Sequence, residues 1–262
     1  MHSENVTRSE RSSPDRRTRK RAARRDALLA LAADLVAEHG PDGLTMAALA
    51  EAADYAPASL YTYFPSRSAL IASLQTEALG VLADVATDAI ARWDDELVAA
   101  GVDGADAALA RLVAFSRLFL TAADHHPREF RLQQQLLVTP NVEDTADAAS
   151  VVPAAMAVLD APRRLLADAV AAGALSAHDP VADPIDRPLD GDVVRTLAWV
   201  VALNGALLVD GLATGLPTTG TALGTEITAA LLTGWGADPH SLAAARTVAD
   251  GLALPAPQEP AR

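Results

Sequence analysis

Residues 25–74 read RDALLALAADLVAEHGPDGLTMAALAEAADYAPASLYTYFPSRSALIASL, and the periodicity of this stretch decides the fold. Leu28, Leu31, Ala32 and Leu35 recur at the i, i+3, i+4, i+7 spacing of one helix face, and Gly40 followed by Pro41 supplies a stop. After the turn Pro41-Asp42-Gly43, Thr45 is placed to cap a second, short helix ending near Ala53, with Leu44 set to pack on Leu49. Asp54-Tyr55-Ala56 forms a tight turn. Pro57, at a first helical position, opens a third helix through Ser59, Leu60, Tyr61 and Phe64, which Pro65 ends. Ser66 is placed to cap a fourth, long helix whose apolar stripe runs through Leu70, Leu74, Ala78, Leu82, Val85 and Ala89 toward Trp93. Two short helices joined by a three-residue turn, behind a longer helix, form the arrangement that lays its second short helix in a DNA major groove.

Upstream of this stretch the chain turns basic. Residues 1–25 carry nine Arg or Lys side chains against Glu4, Glu10 and Asp15, a local charge of +6, so a net charge of −13 leaves −19 on the remainder. A basic arm on an acidic body suits a chain that meets a polyanion at one end only. Residues 1–22 lack apolar periodicity and are expected to be unordered until something binds them.

Downstream, helices are expected over 105–123, 127–137, 154–172, 192–213, 221–235 and 241–252, separated by Gly, Pro and Asp clusters. The Pro-containing stretch between Gly173 and Gly191 reads as a mobile loop and 254–262 as a flexible tail. No strand pattern competes, and with half of the residues hydrophobic but only 4% aromatic, the fold class is all-α. The expected division is an arm at 1–22, a helix-turn-helix domain at 23–72, a helical domain at 73–253 and the tail.

Composition also excludes. With no cysteine, disulfides, zinc-thiolate sites and cysteine nucleophiles are absent from the sequence. The apolar run Leu197–Val209 is shorter than the roughly 20 residues a bilayer requires and reads as a buried helix. No apolar segment follows the basic N-terminus as in a secretory signal, so a cytoplasmic location and no membrane are expected. There is no Gly-rich phosphate loop, no Gly-x-Ser-x-Gly elbow and no His-Glu-x-x-His, and an enzyme is not expected. His125-His126 lacks a third ligand at metal spacing and reads as a solvated helix end, so neither metal nor cofactor is expected.

The wording of 25–74 resembles the N-terminal domain of the TetR family of transcriptional regulators. The resemblance rests on Glu38-His39-Gly40, Leu44-Thr45, Leu49-Ala50-Glu51-Ala52-Ala53 and above all Leu60-Tyr61-Thr62-Tyr63-Phe64 followed by Ser66-Arg67 and Leu70. It implies a homodimer that holds double-stranded operator DNA and responds to a small-molecule effector. Residue by residue, it implies that Thr45 caps its helix and touches a phosphate. Tyr61 and Tyr63 would contact the DNA backbone, and Arg67 would stand where the family often has a phosphate-binding lysine. Pro57, Ala58, Ser59 and Thr62 would face bases; Arg24 and Met46 complete the expected DNA-binding set. Two departures matter. Asp54 stands where the family usually has Gly in the turn, and Ala56 stands where it usually has a Ser or Thr cap. The reading helix also carries no Arg, Lys, Asn or Gln for bidentate base contacts.

Beyond residue 75 the resemblance is looser. Trp199 through Asn204-Gly205 is similar to the Trp-His-Gly-like stretch of one large TetR subgroup, with Asn204 in place of the His. The helices at 192–213 and 221–235 correspond in position to the family's dimer interface. Trp93, Phe119, Met156, Arg163, Trp199 and Asn204 are the expected effector-binding residues. Two functions stay open: a ligand-responsive regulator, expected as a repressor released from its operator, and a TetR-like ligand-binding or interaction protein with weak or lost sequence-specific DNA binding.

Overall fold

The computed structural model describes residues 13–138, 144–177, 191–212 and 217–256. Ten helices and no strand occur among them: α1 (Ser13–Gly43), α2 (Met46–Ala52), α3 (Pro57–Leu60), α4 (Arg67–Ala99), α5 (Gly104–His125), α6 (Pro127–Val138), α7 (Thr145–Ala171), α8 (Gly191–Leu212), α9 (Gly220–Gly234) and α10 (Pro239–Gly251). They form two compact units, one of residues 1–78 and 131–152 and the other of 79–130 and 153–262.

The first unit is built on the stripe legible in the sequence. Leu28, Leu29, Ala32 and Val36 of α1 meet Leu44, Leu49, Leu60, Phe64, Leu70, Ile71 and Leu74 in one buried cluster, joined by Leu132 from α6. Burying a Leu or Phe side chain of this kind contributes about 1.5–3 kcal/mol, so this cluster, more than helix propensity, holds the short helices in place. Gly40 breaks α1 with φ 73°, a left-handed conformation that Gly adopts without a Cβ penalty, and Pro41 follows. The Thr45 side chain accepts a bond from the Ala48 N–H at 3.0 Å, the cap its position predicts. Ser66 Oγ caps α4 in the same way, accepting from the Ala69 N–H at 2.9 Å.

Three boundaries differ from expectation. The first helix begins at Ser13, so the part of the expected unordered arm that is described, 13–22, is helical. Pro14 fits a first turn, and the Arg, Lys and Ala that follow are strong helix formers even without apolar periodicity. Residues 1–12 lie outside the described residues. The seventh helix begins at Thr145, where Asp144 Oδ1 accepts from the Ala146 N–H at 2.7 Å, and it runs through Pro153 and past the expected start at 154. The third helix is a single turn, treated below. The loop expected to be mobile falls mostly on 178–190 and the tail mostly on 257–262, both outside the described residues.

In the second unit α5 is the central helix, buried through Leu109, Leu112, Phe115, Leu118 and Leu120, and it packs with α8, α9 and α10. Close approach depends on glycines. A Cβ at Gly224 would collide with the Leu120 side chain, and one at Gly220 would stand 2.7 Å from the Ala206 carbonyl, so α9 approaches α5 and α8 more closely than a larger residue at either position allows. Thr219 and Asp238 cap α9 and α10, accepting from Ala222 N–H at 3.1 Å and Ser241 N–H at 2.8 Å. The Ser241 hydrogen bonds hold the Asp238 carboxyl below its usual range.

By length and composition alone, α4 and α8 are apolar enough to cross a bilayer. The expectation that Leu197–Val209 is buried is corrected in part. Trp199, Leu203 and Ala206 are buried, but Leu197, Leu208 and above all Val201, at 66% exposure, lie on an open face of α8. An apolar run on a helix reaches both faces, and in the single chain only one is covered.

Candidate nucleic-acid interface and effector region

Within the first unit, α2 and α3 are joined through Asp54, whose φ of 55° is the left-handed turn for which the family usually has Gly. Tyr55 N–H closes the turn onto the Ala50 carbonyl at 2.9 Å. Ala56 precedes α3 in an extended conformation and gives no side-chain cap, as its lack of a hydroxyl dictates, while Pro57 fixes φ at the helix start. The α-helix ends at Leu60, short of the expected Phe64. Residues 61–63 continue as a tighter turn, with Tyr63 N–H donating to Leu60 O at 2.8 Å and Phe64 N–H to the same oxygen at 2.9 Å. An uncapped four-residue helix has too few internal bonds to persist alone.

Pro57, Ala58, Ser59, Tyr61 and Thr62 are exposed on this turn, Tyr61 by 52%. Thr62 Oγ1 donates to the Ser59 carbonyl at 2.7 Å. Arg24 and Thr45 are also exposed. Met46 and Tyr63 are half-buried and pack against the core of the unit. Arg67 is half-buried; its Nε donates to the Leu44 carbonyl and its Nη2 to the Pro41 carbonyl, both at 2.6 Å. Its guanidinium thus ties the α1–α2 turn to the start of α4.

Two residues absent from the sequence-derived site stand beside it. Arg21 Nη2 donates to the Thr62 carbonyl at 2.8 Å and its guanidinium lies 6.0 Å from the Tyr63 ring centroid. Arg25 Nη2 donates to Ser73 Oγ at 2.9 Å, with its guanidinium 5.3 Å from the Phe64 ring. The signal was present: Arg21, Arg25, Leu28 and Ala32 follow i, i+4, i+7, i+11, which places both arginines on the face that Leu28 buries.

In the second unit the expected effector residues separate. Trp93 and Trp199 are fully buried in one cluster. Trp93 Nε1 donates to the Ala253 carbonyl at 2.8 Å. Trp199 packs on Phe115 at 5.2 Å and donates through Nε1 to Thr228 Oγ1 at 3.1 Å, and Thr228 shares a 2.7 Å hydroxyl bond with Ser116. Phe119 stands edge-on to Phe130 at 6.1 Å. Asn204 Nδ2 donates to the Val200 carbonyl at 2.9 Å. Met156 is 53% exposed and outside that cluster. Arg163 and Arg164 both bind Asp160, at 2.6 and 2.8 Å, and the bond from Arg163 holds that carboxyl below its usual range.

The expectation of a solvated histidine pair is corrected. His126 is 4% exposed, and neither of its ring nitrogens has a hydrogen-bond partner among the described residues; His125 Nδ1 and Glu129 Oε2 are buried without partners too. The corner from α5 into α6 folds this helix end inward, which local sequence does not encode. Arg195, also missed, is buried, donates to the Ser176 carbonyl at 2.8 Å and lies 5.5 Å from the Trp235 ring; burial lowers its pKa. Among the described residues no cluster of His, Asp or Glu is arranged to hold a metal ion.

Residues 28–74 match the model of the bacterial regulatory proteins of the tetR family. No curated protein matches the sequence closely enough to count as a relative. Among solved structures, the chain resembles RolR in complex with resorcinol, with a TM-score of 0.52 at 19% identity over 92% of this chain and 100% of that one. It resembles the fatty acid degradation regulator FadR from Bacillus halodurans, with a TM-score of 0.53 at 19% identity over 80% and 98%. It also resembles AibR in complex with isovaleryl coenzyme A and operator DNA, with a TM-score of 0.52 at 16% identity over 80% and 98%. At these identities the likenesses show a shared fold. The match to the tetR family model is confined to residues 28–74, the stretch that holds the helix-turn-helix.

Proposed function

We propose that the chain is a cytoplasmic, homodimeric repressor that binds operator DNA through the α2–α3 helix-turn-helix and leaves it when a small molecule binds the second unit. The observation that carries the DNA part is the outward face of the reading turn: Pro57, Ala58, Ser59, Tyr61 and Thr62 are all exposed beside a helix bearing exposed Arg16, Arg17, Lys20 and Arg24. Hydroxyls and cationic side chains are the usual phosphate partners, and Ser and Thr reach base edges or thymine methyls. Thr45 and Tyr61 are assigned to phosphates, Met46 and Tyr63 to the edge of the interface, and Arg67 to holding Thr45 in place through the Leu44 carbonyl.

Support for an effector comes from the corner between α5 and α6, where His126, His125 and Glu129 hold buried polar atoms with no partner among the described residues. Such groups cost about 1–3 kcal/mol each when left unpaired, and a ligand with hydrogen-bonding groups would satisfy them. RolR and AibR were solved with small molecules, AibR with operator DNA also. Support for a dimer is the open face of α8, where Leu197, Val201 and Leu208 are exposed and Gly205 leaves room for close helix approach.

The short, uncapped α3 favours a second reading, a TetR-like ligand-binding protein whose sequence-specific DNA binding is weak. Fluorescence anisotropy with the protein's own upstream DNA separates the two. The repressor binds it tightly, with a steep salt dependence, and a small molecule that raises its melting temperature also releases the DNA. Equal, weak binding to scrambled DNA contradicts the repressor, and a stabilising ligand that leaves DNA affinity unchanged contradicts the coupling.

A further inference from the structure

The third helix is unusually dependent on what surrounds it. It has one turn, no side-chain cap at Ala56, and a C-terminal continuation whose carbonyls would otherwise face solvent. Arg21, 41 residues upstream, supplies a donor to one of these, the Thr62 carbonyl, at 2.8 Å, and lays its guanidinium over the next side chain, Tyr63. One turn along α1, Arg25 covers the following aromatic, Phe64, and binds Ser73 of α4, whose hydroxyl is itself fixed to the Ala69 carbonyl at 2.8 Å. Residues 62–64 are thereby gripped between α1 and α4 by two arginines spaced i, i+4. The planar guanidinium suits this double task, because it donates in its plane and stacks across it, which an ammonium does not do.

We propose that Arg21 is a positioning residue for DNA reading: it holds the reading turn from outside, so the basic N-terminal helix is a brace for α3 as well as a source of phosphate contacts. The labour divides along α1. Arg17, Lys20, Arg21 and Arg24 are all exposed, but Arg21 spends a donor on the Thr62 carbonyl. The inference rests on the assignment of 57–62 as the reading element.

Two measurements on the full chain decide it. The first uses no DNA: amide hydrogen exchange at Tyr63 and Phe64, whose N–H groups bind Leu60 O. Arg21→Ala accelerates both by about fivefold, the effect of losing one ordinary hydrogen bond, with Arg21→Lys in between and the α2 amides of Leu49 and Ala53 unchanged. Unchanged exchange at 63 and 64 overturns the brace. The second is DNA titration over a range of salt. Arg21→Ala weakens binding to the upstream DNA about five- to tenfold, leaves binding to scrambled DNA and the salt slope as they were, and contrasts with Arg24→Ala, which lowers the slope by about one. A slope lowered by about one, with both DNAs weakened alike, makes Arg21 a phosphate ligand and overturns the proposal. Should the unaltered chain bind both DNAs equally, the DNA assignment falls and the positioning role falls with it, while the exchange result still stands on its own.

Discussion

The two short helices of the helix-turn-helix solve the same problem in opposite ways. The first, α2, has seven residues, a Thr45 cap and buried Leu49 and Ala50, so its stability is written into its own sequence. The second, α3, has four residues, no cap and one buried residue, Leu60, and relies on its surroundings: Phe64 in the core just beyond its end and, at long range, Arg21 and Arg25 from α1 and Ser73 from α4. The difference teaches that an element can be preorganised for binding without being stable in itself. Its small side chains, Pro57, Ala58 and Ser59, then leave the backbone open to close approach by a groove.

Removing the support from α3 has the largest expected effect. Phe64→Ala deletes a fully buried ring at the junction of α1, α3 and α4 and is expected to destabilise the first unit by about 3–5 kcal/mol, read as a lower urea midpoint. A loss under 1 kcal/mol would mean the aromatic is not the anchor assigned to it. Next, Thr45→Ala removes the cap on α2 and is expected to cost about 1 kcal/mol in the same measurement. Placing a cap where α3 lacks one sharpens the contrast from the other side. Ala56 already has the extended backbone of a cap residue, so Ala56→Ser is expected to raise stability by about 0.5–1 kcal/mol, seen as a higher melting temperature. No increase would show that the brace from α1 already supplies all the order the turn can use. The smallest effect belongs to Asp160, whose carboxyl is held low by Arg163 and Arg164 in an exposed setting. A depressed folded value stabilises above the ordinary carboxylate range and the benefit is lost as pH falls through that lower value. Asp160→Asn should therefore shift the neutral-pH midpoint by about 0.5 kcal/mol or less.

The contrast also explains what the sequence made legible. Helix α1 from Leu28 onward, the Thr45 cap, the left-handed turn at Asp54 and the missing cap at Ala56 are local facts, set by periodicity, hydroxyl placement and steric limits on φ. The helical start at Ser13 was hidden because a basic segment without an apolar stripe gives no periodic signal even when its residues favour helix. Arg67 also reaches carbonyls 23 and 26 residues away, a pairing no window of sequence contains. The burial of His126 was hidden for the same reason: a residue between two helices looks solvated until the corner it occupies is known. Trp93 and Trp199 were legible as large apolar residues, and the structure gives both a packing partner and an indole hydrogen bond in the core. Caps and turns set by local geometry were legible in the sequence; contacts set by distant partners were not.

The central claim is that a dimer of this chain reads a defined DNA sequence through the exposed face of residues 57–62. Repeated selection from a random-sequence duplex pool tests it most directly. The account predicts enrichment of an inverted repeat whose half-sites lie about 10 base pairs, or a whole number of helical turns, apart, and weaker enrichment of the same repeat with Arg21→Ala at unchanged salt. A pool that stays random under the unaltered chain, with binding governed by salt alone, would contradict it.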